Sequence, residues 1–412
     1  MKTKTPAFCK GKNLKGAISE LNVLMLCPDY KPNFGGEAEV AYCLAVELRK
    51  LGYIVTVLAP NCPEEVPEDT NLPDAVIRQL DLGRFVPLNR IRGWLTWPVA
   101  MRGMLESVRR VVLEKSPDIC FVTSYMTWVI LALWKLNVPY ALFLHGEDIT
   151  LMAARGGLSK RIFLRACKRA KWIFINSGHS RKLLGGLSVD LLKKSESVGC
   201  GVRTKVHWTT DRRDEARRAL GWSKGPTVVT VAKLIMRKGI DTVIRAIPKI
   251  LEKYPDFRYV LVGDGPDRHQ LEAIAKQIGV TEHVLMMGHV DLDTKQQIYS
   301  ASDVYIMVSY PGVQGEEEGF GITFLEANLH GLPVIGSQCG GIPESVEHEG
   351  SGLLVEPHQP EKVAEAIDRL LSDPELCRQM VEHGRRRIDT QFNWPTIATR
   401  IGPRLAEIVV RR

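Results

Sequence analysis

At 412 residues the chain is too long for one hydrophobic core and is expected to fold as two domains. A composition of 45% hydrophobic and 25% charged residues belongs to a soluble globular protein and excludes disordered and fibrous classes. The net charge is +8, and nine cysteines without a C-x-x-C pair argue against structural zinc and for reduced thiols in the cytoplasm.

Met1 to Leu21 carries lysines but no continuous apolar run, so no signal peptide is expected. The longest apolar stretch, Trp128 to Trp134, is too short to cross a bilayer. Leu21 to Met25 reads as a buried strand. C-P-D-Y-K-P-N-F-G-G follows, then a helix over Ala38 to Leu51 and a strand over Tyr53 to Ala59. Strand, glycine loop, helix and strand make a βαβ unit with a parallel sheet. Gly35 and Gly36 stand where loop meets helix, either as a plain turn or as a place where backbone approaches a diphosphate. Their spacing is not G-x-G-x-x-G, which argues against a dinucleotide-binding dehydrogenase.

Further strands are expected at Ile119 to Thr123, Tyr140 to His145 and Trp172 to Ser177. The middle one runs into H-G-E-D. Residues just beyond the carboxyl ends of parallel strands line the ligand crevice, so His145 and Asp148 are placed to face it. A satisfied loop histidine is the alternative. Asn176, Ser177 and Ser180 read as a polar turn and helix cap. Two stretches are strongly basic: Arg84 to Arg110, where arginines surround Phe85, Trp94, Leu95 and Trp97, and Arg155 to Lys171, which contains no acid. Each is either a solvated face or an interfacial surface for anionic lipid headgroups, and the second reading is preferred. No nucleic-acid recognition motif accompanies the charge.

From Gly199 to Gly225 the apolar pattern lapses into a polar crossover with a short charged helix. A second αβ series follows. Strands are expected at Thr227 to Val231, Tyr259 to Val262, His283 to Met287 and Asp303 to Val308, with helices to Leu251, over Arg268 to Ile278 and over Thr294 to Ala301. Lys233 and Lys238 flank a strand-to-helix connection, where cations are unfavourable unless a negative ligand such as a diphosphate binds. Gly263 and Gly265 form a tight G-D-G-P turn at a strand end. D-L-D at Asp291 to Asp293 resembles a metal-binding pair but precedes a helix with no third ligand nearby, so N-terminal capping explains it.

The acidic, glycine-broken loop from Gly315 leads into a helix beginning near Ile322, and a short strand over Pro333 to Gly336 follows. That helix start offers unpaired N–H groups and the positive dipole end to a phosphate. Glu318 and Glu326 bracket it with seven residues between them. Carboxylates beside a phosphate site need other work, and accepting hydrogen bonds from sugar hydroxyls is the candidate. Dipole complementation for Glu318 and a solvated face for Glu326 are the alternatives. Phe392, Asn393 and Trp394 open a final amphipathic helix ending at Val409 and Val410, expected to pack back on the N-terminal domain.

Taken together, the Gly-Gly loop, H-G-E-D, V-A-K-L…R-K-G, G-D-G-P, E-E-G-F-G-I-T-F-L-E-A, G-G-I-P-E, G-S-G-L-L-V-E-P and F-N-W resemble the retaining glycosyltransferases of family 4, over nearly the whole chain. The resemblance implies the α/β GT-B fold, two facing Rossmann-like domains with an interdomain cleft. It implies an acceptor-binding domain over 1–200, a linker over 201–225, a nucleotide-sugar domain over 226–390 and a C-terminal helix over 391–412. The implied activity is metal-independent transfer of a hexosyl group from GDP-mannose or a UDP-sugar to a glycolipid, lipid-linked or polysaccharide-precursor acceptor, with retention. No cofactor is implied.

By the same resemblance Glu326 holds ribose hydroxyls and Glu318 faces the donor sugar. Phe320, Gly321, Ile322 and Thr323 meet the diphosphate with Lys233 and Lys238, and His145 lies beside the sugar. Gly35, Gly36, Asp148, Gly263, Gly265, Gly288 and Val290 complete the donor site. His145, Lys238 and Glu318 are the expected catalytic group. The chain departs from the family in having Lys233 and Ala232 where arginine and glycine are usual, which exchanges a bidentate phosphate fork for a point charge. A catalytically silent nucleotide-sugar-binding subunit of a membrane-associated glycan assembly complex, or a sugar-nucleotide epimerase, are the competing readings. A cytoplasmic protein, peripheral on the inner face of the membrane, is expected.

Overall fold

A computed structural model describes residues 21–32, 35–62, 66, 71–72, 74–80, 91–203, 210–222 and 225–410, with side chains 91–101 and 210–212 outside the description. Among the described residues thirteen strands form two sheets. The first contains β1 (Asn22–Leu26), β2 (Ile54–Pro60), β3 (Val76–Leu80), β4 (Ile119–Val122), β5 (Tyr140–Leu144), β6 (Trp172–Ile175) and β7 (Ser195–Ser197). Their order is β3-β2-β1-β4-β5-β6-β7. β1 pairs in parallel with both β2 and β4, placing Val23 opposite Val55 and Ile119. Its run N-V-L-M-L is apolar without alternation because helices cover both faces of such a sheet. Strand order reverses beside β1, and the helix Gly36–Lys50 starts just beyond it. That helix has Glu37 and Glu39 in its first turn and Arg49 and Lys50 in its last, matching its dipole at both ends.

The second sheet contains β8 (Thr227–Val231), β9 (Arg258–Val262), β10 (Val284–Gly288), β11 (Val304–Met307), β12 (Val334–Ser337) and β13 (Gly352–Val355), in the order β10-β9-β8-β11-β12-β13. Every pairing in it is parallel. The helix Ile240–Leu251 buries Ile240, Val243, Ile244, Ile247 and Ile250, the stripe that a 3.6-residue period lays on one face. Those residues join Val228, Tyr259, Leu261 and Ile306 in one core. Order reverses between β8 and β11, so the connections after these two strands, with Lys233 to Lys238 and the acidic loop, leave neighbouring strand ends.

By compactness the chain divides into Met1–Ala141 with Ala398–Arg412, and Leu142–Ile397. In the first unit the part of the last helix, Trp394–Val410, that follows Ile397 sets Gly402 against the ring of Tyr53. Of the first basic stretch, residues 84–90 lie outside the described residues, and the helix Ile91–Lys115 carries the rest. The second basic stretch begins at the last residue of the helix Glu147–Arg155 and fills the helix Gly157–Arg169, the two being broken at Gly156 with φ +60°. Phe163, Ala166 and Cys167 face inward, while Arg161, Arg165, Lys168 and Arg169 are exposed. Part of the crossover, 204–209, also lies outside the description, and its charged helix is Thr210–Ala219.

Candidate functional site

The acidic loop ends in a tightly built turn. Gly321 caps the helix Ile322–Leu329 with φ +85°, a left-handed conformation natural to glycine. Gly319 lies so close to the β5 end that an added Cβ would sit 2.4 Å from the His145 carbonyl oxygen and 2.6 Å from Asn176 Nδ2. The Glu318 carbonyl accepts from Gly341 N at 2.8 Å, which fastens the loop to the second Gly-Gly turn. Phe320 is buried with its ring against Phe392, so only its backbone is available to a ligand.

Charged side chains meet at this turn. Lys238 Nζ bonds Glu318 Oε2, and each side chain is only 14% exposed. Burial opposes the charged carboxyl, yet Lys238, then Arg237 and the Phe320 N–H, hold its pKa below the ordinary carboxylate value. One turn along the helix, Glu326 accepts from Lys295 Nζ at 3.1 and 3.2 Å and from the Tyr299 hydroxyl at 2.9 Å. Glu326 is therefore an engaged carboxylate, not a solvated one. Thr323 Oγ1 accepts from Tyr305 at 2.6 Å. Burial, with the nearby Glu326 carboxylate, pushes the Tyr299 phenol well above its usual value, so it stays a donor.

The end of β5 joins this assembly. His145 is buried, its N–H donating to Asp148 Oδ2 at 3.1 Å, its carbonyl accepting from Asn176 Nδ2 at 3.0 Å and its ring tilted on Phe143. Ser177 caps the helix Gly178–Leu187 by accepting from Ser180 N at 3.0 Å, the structural role expected of it. Glu344 of G-G-I-P-E takes the two preceding amides, Gly178 N at 2.7 Å and His179 N at 2.8 Å. Arg387 in turn holds the Glu344 and Ser345 carbonyls at 2.6 and 2.9 Å.

The remaining expected residues divide by position. Lys233 is exposed, unlike Lys238. The G-D-G-P turn lies on the V-A-K-L backbone, where a Cβ on Gly263 would approach the Ala232 oxygen to 2.1 Å and one on Gly265 the Leu234 oxygen to 2.3 Å. Gly263 N donates to the Gly288 carbonyl at 2.8 Å, and Val290 is half-buried against the neighbouring core. Asp291 caps its helix by accepting from Thr294 N at 2.7 Å, the expected non-metal role. Gly35 and Gly36 belong to the first unit, at the start of the helix Gly36–Lys50.

Sequence reasoning missed four participants: Arg237, which reaches Glu147 at 3.4 Å, together with Lys295, Tyr299 and Glu344. R-K-G and G-G-I-P-E were the available signals, since Arg237 directly precedes Lys238 and Glu344 closes the second motif.

Residues 212–387 match the family Glycosyl transferases group 1, and residues 35–184 match the Glycosyl transferase 4-like domain. The GDP-mannose-dependent alpha-(1-6)-phosphatidylinositol monomannoside mannosyltransferase of Mycobacterium tuberculosis is 36% identical over 190 residues, 46% of this chain and 49% of that protein. The chain thus matches about half the length of that relative. Sucrose-phosphate synthase from Thermosynechococcus elongatus superposes with a TM-score of 0.77 at 21% identity, covering 95% of this chain and 100% of that one. Anabaena HepE, solved in complex with UDP-glucose, gives 0.72 at 20% identity over 93% of this chain and 99% of that one. Two parallel sheets with interleaved helices are the GT-B arrangement.

Proposed function

The chain belongs to the glycosyl transferases of group 1, and we propose that it is a retaining enzyme moving a hexosyl group from a nucleotide sugar to a glycolipid, lipid-linked or polysaccharide-precursor acceptor. The observation that carries this reading is Lys238 beside Glu318 at the start of the helix Ile322–Leu329. Breaking a sugar–phosphate bond puts negative charge on the departing diphosphate, and preorganised cations and amide dipoles stabilise it. Lys238, with Lys233 nearby in sequence and the amides of Gly321, Ile322 and Thr323, supplies that charge. Glu326 takes the ribose hydroxyls, Glu318 the sugar hydroxyls, and His145 lies beside the sugar. Because these fixed groups cover the leaving group, no metal ion is assigned a step.

A retaining glycosidase attacks with a free carboxylate. Glu318 is tied to Lys238 and is a poor nucleophile, which favours same-face attack assisted by the departing phosphate. GDP-mannose is the preferred donor, since the 36%-identical relative is named for it, whereas HepE with UDP-glucose is 20% identical. Among the described residues no helix is long and apolar enough to cross a membrane. Exposed Arg161, Arg165, Lys168 and Arg169, beside a Leu158 that is 71% exposed, support peripheral docking on anionic lipid at the cytoplasmic face. Thermal-shift titration with GDP, UDP and ADP, then with GDP-mannose, UDP-glucose and UDP-N-acetylglucosamine, tests the reading. GDP-mannose is expected to raise the melting temperature most and to be turned over equally with EDTA present. No shift with any nucleotide would overturn it.

A further inference from the structure

The ammonium group assigned above to the diphosphate already has a carboxylate partner in this structure. Lys238 Nζ is bonded to Glu318 Oε2 in a pair whose two side chains are each 14% exposed. The other acids of the run are engaged elsewhere: Glu316 accepts from Gln314 N at 2.9 Å, and Glu317 pairs with His179 Nε2 at 2.5 Å. Glu318 is also pinned through its backbone, since its carbonyl accepts from Gly341 N at 2.8 Å and the next residue, Gly319, packs on the His145 carbonyl. Separation of the pair therefore takes a rotation of the Glu318 or the Lys238 side chain, while the Glu318 main chain stays held.

We propose that Glu318 is a specificity-determining residue that competes with phosphate for Lys238, so that a bare nucleoside diphosphate binds poorly and a sugar-bearing donor binds well. The proposal rests on the reading that the donor diphosphate meets Lys238. A diphosphate that captures the ammonium strips the Glu318 carboxylate of its ammonium partner and leaves it partly desolvated beside a second anion, each of which is unfavourable. A donor sugar removes that penalty, because its hydroxyls donate to the released carboxylate. Once the sugar has been transferred, the spent nucleotide lacks those donors. Glu318 then returns to Lys238 and the product is expelled.

Calorimetric titration of the full chain with GDP, UDP and GDP-mannose tests this, with UDP-glucose in parallel. Glu318→Gln is expected to bind the nucleoside diphosphate about tenfold tighter than wild type, the worth of one charge-assisted hydrogen bond, while losing much of its preference for the sugar-bearing form. The gain should vanish when Glu318→Gln is made in a Lys238→Met background. Glu317→Gln, which removes an acid of the same run that does not touch Lys238, should leave diphosphate affinity close to wild type. Glu318→Asp, which keeps the charge on a shorter arm, should move in the same direction as Glu318→Gln and serves if the latter folds poorly. Equal or weaker diphosphate binding by both Glu318 variants, or an equal gain in Glu317→Gln, would overturn the inference. Failure of wild type to bind any nucleotide would instead remove the functional reading beneath it.

Discussion

His330 closes the helix Ile322–Leu329 with its ring stacked on Tyr299, centroids 5.2 Å apart, directly behind Glu326. Burial, reinforced by the charges of Lys295 and Arg385, pushes its pKa down from 6.5 to about 4. A histidine with a depressed folded value binds its proton more readily in the unfolded chain, so its contribution to stability is present above 6.5 and is lost as pH falls toward about 4. His330→Phe keeps the stacking and removes the titration. Its stability profile across that window should be flatter than wild type by up to about 3 kcal/mol, read from urea midpoints. Parallel profiles would show that another group carries the acid sensitivity. At this scale the sequence was informative where spacing carried the message, as with Glu318 and Glu326 bracketing a helix start. It was silent where partners come from afar. Lys295 is 31 residues from Glu326, and Glu344 is 166 from Gly178, and no local pattern joins such pairs.

The turn Glu318–Gly321 is the element on which the site depends, and its least tolerant position is Gly319. Gly319→Ala would force its Cβ into the His145 carbonyl and the Asn176 amide, both held by their own hydrogen bonds. Backbone shifts of that kind cost about 1–3 kcal/mol and would carry Glu318 with them. The variant should melt lower and lose turnover by more than its loss of stability predicts, whereas Gly315→Ala, in the open part of the loop, should lose stability with little change in turnover at permissive temperature. Activity retained in folded Gly319→Ala would separate the turn from the chemistry. Core elements were read well from sequence because buried parallel strands are continuous apolar runs: T-V-V-T-V is β8, and R-H-Q-L-E-A-I-A-K-Q-I is the helix Arg268–Ile278. The edges were not. β7 is S-E-S and β3 is V-I-R-Q-L, both at the margins of the first sheet, where pairing supplies what composition does not. β13 and the helices Pro360–Ser372 and Pro374–Thr390 also went unread, although Pro at the first turn marks both helices.

At the scale of the whole molecule the net charge of +8 finds its surface expression in the helix Gly157–Arg169. Each cation near an anionic leaflet is worth about 1 kcal/mol, so replacing Arg161, Arg165 and Arg169 by glutamine should nearly abolish co-sedimentation with phosphatidylglycerol vesicles. Melting temperature and nucleotide binding should be retained. Undiminished binding, or none by the native protein, would count against a lipid-facing role. The Glu344 contact bears on how the chain can be divided. The helix Gly178–Leu187 follows strands of the first sheet, yet two of its opening amides are satisfied by a carboxylate that arrives after β12 of the second. A fragment ending near residue 200 would keep the Ser177 hydroxyl but forfeit that borrowed acid. In such a fragment two amides at the start of that helix would turn to water, so its full capping waits on a residue 166 positions further along the chain.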